Sequence, residues 1–354
     1  MADAKPLTSI SKFIAVPDDC LLVTGSNGFI GSKVVQTLLE YGFVNLRCFV
    51  RPASKLARLE GVLKRSRPGR HVELIAGDLL SRDDCRKAVA GVSIIYHLAA
   101  GIEKSFAGAF MNSALATRNL IEAFLERGQP KRFVNISSFA VYSNRKMKRG
   151  SLLDENSPLE DAPQARHDAY GFGKSKQEEI VREYGESQNL PYVILRPGAV
   201  FGCGNPALSG RVGINTFGFF IHLGGSNRLP LTFVDNCAEA IVLAGITPGV
   251  DSEVFNVVDN ELPTSKEFLQ AYRQKVNPFF ALPVPYPLAY AFSLLWEKYS
   301  AWSQGQLPPV FNRRRCAAEW KGNRYTNQKL KEKLGWEPRI NMSDAMSAFL
   351  SQFN

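Results

Sequence analysis

Tyr170 and Lys174 stand four residues apart in the run Tyr170-Gly171-Phe172-Gly173-Lys174. On a helix that spacing puts both side chains on one face, where an ammonium beside a phenol draws the phenol pKa down from about 10 towards working pH. A phenol tuned in this way exchanges a proton with a hydroxyl or carbonyl oxygen, which is general acid and base chemistry. Tyr and Lys four apart are common, so the pair gains meaning only from its surroundings. Far upstream, Thr24-Gly25-Ser26-Asn27-Gly28-Phe29-Ile30-Gly31 follows a short apolar run and opens an amphipathic stretch. Between a strand and a helix, Gly25 permits a tight turn, Gly28 lets backbone approach a diphosphate, and Gly31 lets the helix pack closely on the strand. The helix N-terminus then attracts the anion through its unpaired N–H groups.

These residues need a scaffold, and the chain supplies alternating apolar runs and amphipathic stretches from Cys20 onward: 21–24 then 30–41, 46–50, 72–76 then 82–90, 93–98 then a helical stretch to 125, and 132–137. Strands apolar on both faces, separated by helices, imply a parallel sheet covered on both sides, so the fold class is α/β and doubly wound. A further helix is expected over 171–186 and a strand over 192–196, whose end at Pro197 and Gly198 leads the chain out of the sheet. Beyond about residue 200 glycine and proline rise (Gly202, Gly204, Pro206, Gly210, Gly213), the mark of a loop-rich, substrate-facing region. The segments 231–234, 238–245 and 254–258 return to the first unit, and 329–334, stopped by Gly335 with Pro338 beyond, reads as a short late helix. The expected organisation is an N-terminal arm over 1–19, a dinucleotide-binding unit over 20–200 with returns near 231–258, and a smaller, mostly substrate-binding region over 201–354.

With 354 residues, 45% hydrophobic and 21% charged, the chain has the composition of a soluble globular protein. The net charge of +10 raises nucleic acid, an anionic membrane or an anionic small molecule as partners. The basic clusters Arg145, Lys146, Lys148, Arg149 and Arg313, Arg314, Arg315 lack interleaved aromatics, and no DNA-reading motif accompanies them, so nucleic acid is excluded. Cys20, Cys48, Cys85, Cys203, Cys237 and Cys316 show no C-x-x-C spacing, which points to a reducing, cytoplasmic setting. His71, His97, His167 and His222 fall in no H-x-x-x-H, so no metal site is expected. The start of the chain carries Asp3 and no unbroken apolar core of a signal peptide. The uncharged run 278–296 is broken by Pro278, Pro283, Pro285 and Pro287, and its helical part, 288–296, would span only about 13 Å of the roughly 30 Å that a bilayer requires.

Taken together these motifs resemble the extended branch of the short-chain dehydrogenase/reductase superfamily, from about Leu21 to the C-terminus. The resemblance implies a Rossmann fold. It also implies a cofactor site that adds Asp78 and Leu79, where the adenine is capped, and Leu98, Ala99 and Ala100 at the end of the fourth strand. By the same resemblance Pro197, Gly198 and Val200 close over the nicotinamide, and Asn27, Phe29 and Ile30 belong to the glycine loop. In Ser137-Ser138-Phe139-Ala140-Val141-Tyr142 the family's catalytic serine falls on Ser138. Ser138, Tyr170 and Lys174 are therefore the expected catalytic set, with Tyr170 and Lys174 also touching cofactor. The family's Asn four residues before a helical Thr is displaced: Asn112 lies five before Thr117 and Ser113 takes its place, so Asn112 stays outside the set. At the end of the second strand a free ribose 2′-hydroxyl calls for Asp or Glu, whereas this chain has Val50 and Arg51, followed by Ser54 and Lys55. That favours NADP over NAD.

The expected activity is NAD(P)-dependent hydride transfer at a secondary alcohol or ketone carbon, in the manner of 3β-hydroxysteroid or sterol dehydrogenases. A nucleotide-sugar epimerase is the alternative, for which Arg211, Arg228 and the triple arginine would meet a diphosphate. A non-catalytic NAD(P)-binding scaffold or sensor is the alternative of another class, and it would need a broken Ser138, Tyr170, Lys174 set. The apolar stretch 282–296 reads as contact with an apolar substrate or peripheral contact with a membrane. A small-molecule substrate is the expected partner, and a homodimer stays open.

Overall fold

The computed structural model describes residues 13–65, 71–101, 103–205, 208–216, 218–276, 279–304 and 306–353. Its strands are β1 Leu21–Thr24, β2 Asn45–Val50, β3 His71–Ala76, β4 Ile94–His97, β5 Arg132–Ile136, β6 Leu152–Leu153, β7 Tyr192–Pro197, β8 Ala199–Phe201, β9 Gly213–Thr216, β10 Phe219–His222, β11 Leu231–Phe233, β12 Val254–Val257, β13 Ala281–Pro283 and β14 Arg324–Tyr325. The helices are α1 Phe29–Glu40, α2 Ala57–Leu63, α3 Arg82–Val89, α4 Phe106–Ala109, α5 Ala116–Arg127, α6 Ala169–Gln188, α7 Val234–Ile246, α8 Ser265–Lys275, α9 Tyr286–Trp302, α10 Arg313–Trp320, α11 Gln328–Leu334 and α12 Met342–Ser351.

Branched and aromatic residues on β1, β4, β5 and β7 are buried along their whole length, as strands covered on both faces must be. They form the middle of a seven-stranded parallel sheet in the order β12-β7-β5-β4-β1-β2-β3. β3 departs from the expectation of two apolar faces: as the edge strand it stays largely exposed. One core layer joins the sheet to α1, α7 and α11, and another joins it to α3, α5 and α6. The strand order reverses between β1 and β4, so a crevice opens beyond their C-terminal ends, the place where doubly wound sheets bind ligands.

The second, smaller core is aromatic, built on Phe201, Phe220, Phe233, Phe268 and Phe349. Of the segments expected to return to the first unit, β11 pairs with β8 in a two-stranded ribbon, and β12 joins the large sheet, beside β7. Of the expected N-terminal arm, residues 1–12 lie outside the described residues, as do Pro206 and Pro278; Phe13 and Ile14 pack on the main core, and Ile14 N donates to Ile246 O at 2.9 Å.

Two helices are longer than their expected spans. α6 starts at Ala169 because the Asp168 carboxylate caps it, accepting from Gly171 N at 3.0 Å, which places both Tyr170 and Lys174 inside the helix. α9 runs from Tyr286 to Trp302, 17 residues, because Pro287 sits in the first turn, where its missing N–H costs nothing. No helix among the described residues is long and apolar enough to cross a membrane.

Candidate active site

Two adjoining cavities of about 420 and 430 Å³ occupy the crevice and share Gly25, Gly28, Leu98 and Ala100 as walls. The glycine loop separates them. Gly25 holds φ at +67°, and a Cβ there would lie 3.0 Å from Ala99 N, so the turn sits directly against the end of β4. At Gly31 a Cβ would come within 2.1 Å of Gly25 O, which is why the helix and the loop can touch only through glycine. Gly28 caps α1 without any side-chain hydrogen bond, leaving the first amides of the helix for a ligand. The geometry of this cradle fits a dinucleotide diphosphate.

The first cavity brings together Ser138, Tyr170 and Lys174 with Phe29, Ile30 and Gly31 on one side. Pro197, Gly198 and Val200 form another wall of the same cavity. The second collects Asn27, Arg51, Asp78, Leu79 and Ala99, together with Phe49 and Ser54. Every residue expected in the site from the sequence therefore borders one or other of these two adjoining cavities.

α6 is fixed in that cleft from both ends. At its start Asp168 pairs with the buried Arg166, whose guanidinium donates to Tyr142 O at 3.1 Å and Ala140 O at 2.5 Å, tying the helix to the turn after Ser138. One turn beyond Lys174, Glu178 receives Arg196 of β7 through two bonds of 2.9 and 2.6 Å. Gly173 permits the approach of the neighbouring helix: a Cβ there would stand 3.1 Å from Ala109 O and from Ser113 Oγ.

Ser138 and Tyr170 both line the first cavity, and the Ser138 hydroxyl acts on the Tyr170 phenol. The tuning of the phenol differs from the expectation. Burial raises the Tyr170 pKa, the Ser138 hydroxyl opposes that rise, and Asp168 adds to it. Lys174 is not the group that acts on the phenol, because its ammonium is turned to the Ile136 carbonyl and, at 2.9 Å, to Gln177 Oε1.

Behind the lysine runs a buried chain of polar groups. Gln177 Nε2 donates to Thr117 Oγ1 at 2.8 Å, and Thr117 donates to Ser113 O at 2.6 Å. With its one proton so engaged, Thr117 can only accept from His97, 2.9 Å away, which puts the imidazole proton on Nε2 and leaves Nδ1 to accept from Thr24 at 2.8 Å. Thr24 in turn accepts from Ala99 N at 3.2 Å. Burial, with the Lys174 charge adding to it, pushes the His97 pKa down to about 3, so the ring is neutral and keeps this tautomer. The chain links the lysine to the ends of β1 and β4.

Burial also holds the Lys174 ammonium down, to about 7, with Glu178 opposing. The folded protein thus releases a proton near pH 7 that the unfolded chain keeps to the ordinary value of 10.5. Between those values the unfolded state binds more protons, so stability rises with pH and is lost as pH falls through 7. Urea unfolding of the wild type against Lys174→Met should show the wild type gaining about 1 kcal/mol or more on the variant between pH 7 and 10. A difference that stays flat across that range contradicts the buried-ammonium assignment.

Asn112 is held away from the proton-transfer groups, donating to Glu103 Oε1 at 3.0 Å along the second cavity. A π-helical turn over Phe110–Leu115 accommodates the extra residue, and Ser113 takes the inner position, its Oγ accepting from Gly101 N at 3.3 Å. Thr117, Gln177 and Arg58 are members of the site that spacing did not reveal. A polar residue one turn after Lys174 was the available signal for Gln177. The triple arginine is neutralised: Arg313 pairs with Glu297 at 2.8 Å, Arg314 with Asp161 at 2.6 Å and also Glu160, and Arg315 with Glu319 at 3.0 Å. Among the described residues no cluster of His, Cys, Asp or Glu could hold a metal ion.

Comparison with known proteins agrees with this geometry. Sterol-4-alpha-carboxylate 3-dehydrogenase, decarboxylating, of Mus musculus is 26% identical over an alignment covering 98% of this chain and 94% of that protein. The uncharacterized UDP-glucose epimerase YtcB of Bacillus subtilis (strain 168) is 30% identical, but over 51% of this chain and 57% of its own length. The crystal structure of gox2253 superposes with a TM-score of 0.74 at 24% identity, covering 95% of this chain and 98% of that one, and so shares the fold. The model of the NAD dependent epimerase/dehydratase family matches residues 21–257, from the first strand of the sheet to the last. The chain belongs to that family of enzymes, within the extended short-chain dehydrogenases/reductases.

Proposed function

We propose that the protein is an NAD(P)-dependent oxidoreductase that transfers a hydride at the secondary alcohol or ketone carbon of an apolar, sterol-like ring. The observation that carries this reading is the convergence of Ser138, Tyr170 and Lys174 with the glycine loop on the walls of one cavity. Nicotinamide, when bound, supplies or takes up the hydride. Tyr170 moves the proton at the substrate oxygen, and Ser138 donates a hydrogen bond to that same oxygen. Lys174 uses two of its three N–H donors on Ile136 and Gln177, and the third is left for the cleft. Gly28 and the first amides of α1 take the diphosphate, and Pro197, Gly198 and Val200 border the nicotinamide end.

Arg51 supports a preference for NADP over NAD: it lines the second cavity beside Ser54, and no carboxylate pairs with it among the described residues. The sterol reading is supported by similarity along the whole chain to a sterol dehydrogenase, where the sugar epimerase matches half of it. It is supported too by the arginines that would have met a sugar diphosphate, since Arg313, Arg314 and Arg315 face carboxylates and Arg211 donates to Ala318 O at 3.0 Å. Leu288, Phe292, Leu295, Tyr299 and Trp302 recur at spacings of four and three along α9 and are all exposed, which supports peripheral contact with a membrane, where such a substrate resides. Exposed Phe110 and Met111 favour a second copy as a further partner. Six free cysteines accord with a reducing, cytoplasmic setting.

Cofactor reduction with a panel of 3β-hydroxysterols and UDP-sugars tests the reading. Reduction of NADP+ or NAD+ by the sterols alone is the expected result. Interconversion of UDP-sugars with no net change in cofactor would replace it with the epimerase, and tight cofactor binding without any turnover would replace it with the scaffold.

A further inference from the structure

Arg58, the second residue of α2, reaches across the mouth of the first cavity. Its Nη2 donates to Gly204 O at 2.5 Å, and its guanidinium carbon lies 5.9 Å from the centre of the Phe29 ring, at the very start of α1. Gly204 belongs to the loop 202–205 that leads into the aromatic core region. That loop is anchored at the C-terminal end of α12, with Cys203 Sγ donating to Ala348 O at 3.0 Å and Gly204 N donating at 2.9 Å to Oε1 of Gln352, which follows the helix. Arg58 therefore bridges the two halves of the molecule over the cleft, and it lines the same cavity as Gly28, Phe29 and Lys174.

The charge balance there is one-sided. A guanidinium carries five N–H donors, and among the described residues Gly204 is the one acceptor recorded for Arg58, with no carboxylate within ion-pair distance. Some other arginines do meet carboxylates, as Arg47 meets Glu73 at 2.9 Å and Arg86 meets Glu126 at 2.9 Å. Beside Arg58 stands the N-terminus of α1, itself the positive end of a helix and without a side-chain cap. Two positive groups facing one cavity, neither of them neutralised by the protein, leave room for an anion between them.

We propose that Arg58 is a clasp for the cofactor diphosphate, donating to a phosphate oxygen with N–H groups it does not spend on Gly204, beside the first amides of α1. The proposal rests on the dinucleotide reading given above and assigns the neutral-to-anionic preference of this end of the cleft to a side chain outside the glycine loop. It separates two cations along the cleft by what they read: Arg58 the diphosphate common to every such cofactor, Arg51 the 2′-phosphate of one of them.

The test is equilibrium binding of NADH, NADPH and ADP-ribose to the wild type, Arg58→Ala and Arg51→Ala, followed by fluorescence or calorimetry. Arg58→Ala should raise the Kd of all three ligands by a common factor of about 10 or more, with the melting temperature unchanged, because its side chain is on the surface. Arg51→Ala should weaken NADPH alone. Binding by Arg58→Ala within about twofold of wild type overturns the clasp, and so does a loss confined to NADPH, which would make Arg58 a reader of the 2′-phosphate. If the wild type binds none of the three, the dinucleotide reading itself falls and the clasp with it.

Discussion

Tyr170→Phe lowers kcat by about 10²- to 10⁴-fold, the range that a positioned acid or base contributes, while the Kd for the cofactor stays within about twofold of wild type. The variant removes one oxygen and its proton and leaves the ring in place. Nothing else in the cleft depends on that oxygen apart from Ser138, whose hydroxyl also accepts from Ala140 N at 3.1 Å and so remains anchored. Lys174 keeps Ile136 and Gln177, and the glycine loop lies on the far wall, so binding and chemistry separate cleanly in this variant. Steady-state kinetics beside a fluorescence titration of cofactor checks it. Turnover within tenfold of wild type would assign the proton to another group.

Arg196→Met destabilises the fold by about 3–5 kcal/mol, because it leaves the buried Glu178 carboxylate only the more distant Arg182, at 3.5 Å. The Arg196 and Glu178 side chains are 2% and 4% exposed, so water cannot replace either partner. The guanidinium also donates to the Tyr142 hydroxyl at 3.0 Å and lies 4.8 Å from the centre of that ring. Its loss therefore loosens α6, which carries Tyr170 and Lys174, from β7 and from the turn that carries Ser138. Replacing both partners should cost much less than replacing one: Arg196→Met with Glu178→Leu recovers most of the stability, as buried pairs exchanged for apolar groups do. Urea unfolding of the two single variants and the double variant measures this. A double variant as unstable as the sum of the singles would show that the pair is not one unit.

The parts of this site that sequence makes legible are those whose geometry is local. A glycine loop between a strand and a helix fixes its own turn, and a tyrosine and lysine four apart on α6 share a face whatever surrounds them. The alternation of buried runs placed the sheet because strands covered on both sides tolerate little but apolar residues. What spacing leaves open is decided by contacts between distant segments. Helical spacing brought Lys174 near Tyr170, but the burial of the phenol and the pull of Gln177 and Ile136 on the ammonium set the actual protonation balance. Thr117, 60 residues from Gln177, joins the chain behind Lys174 only through the packing of α5 on α6. The π turn over Phe110–Leu115 explains why Asn112 is one residue out of place, and no side-chain type marks such a turn in advance. In the same way nothing in the residues of β11 distinguishes β8 from the large sheet as its partner, and Pro287 reads as a break until its place in the first turn of α9 is known. Arg58 is an ordinary surface arginine in sequence and becomes informative only beside Gly204, 146 residues away.

The most direct measurement uses a 3β-hydroxysterol carrying deuterium on the carbinol carbon, incubated with the protein and NADP+ or NAD+, with the reduced cofactor examined by mass spectrometry. Hydride transfer with Tyr170 as the base predicts one deuterium in the reduced cofactor and a ketone product without it, and label transfer slowed by about 10²- to 10⁴-fold in Tyr170→Phe. Deuterium that never reaches the cofactor, or that reaches it equally well in Tyr170→Phe, would contradict the account.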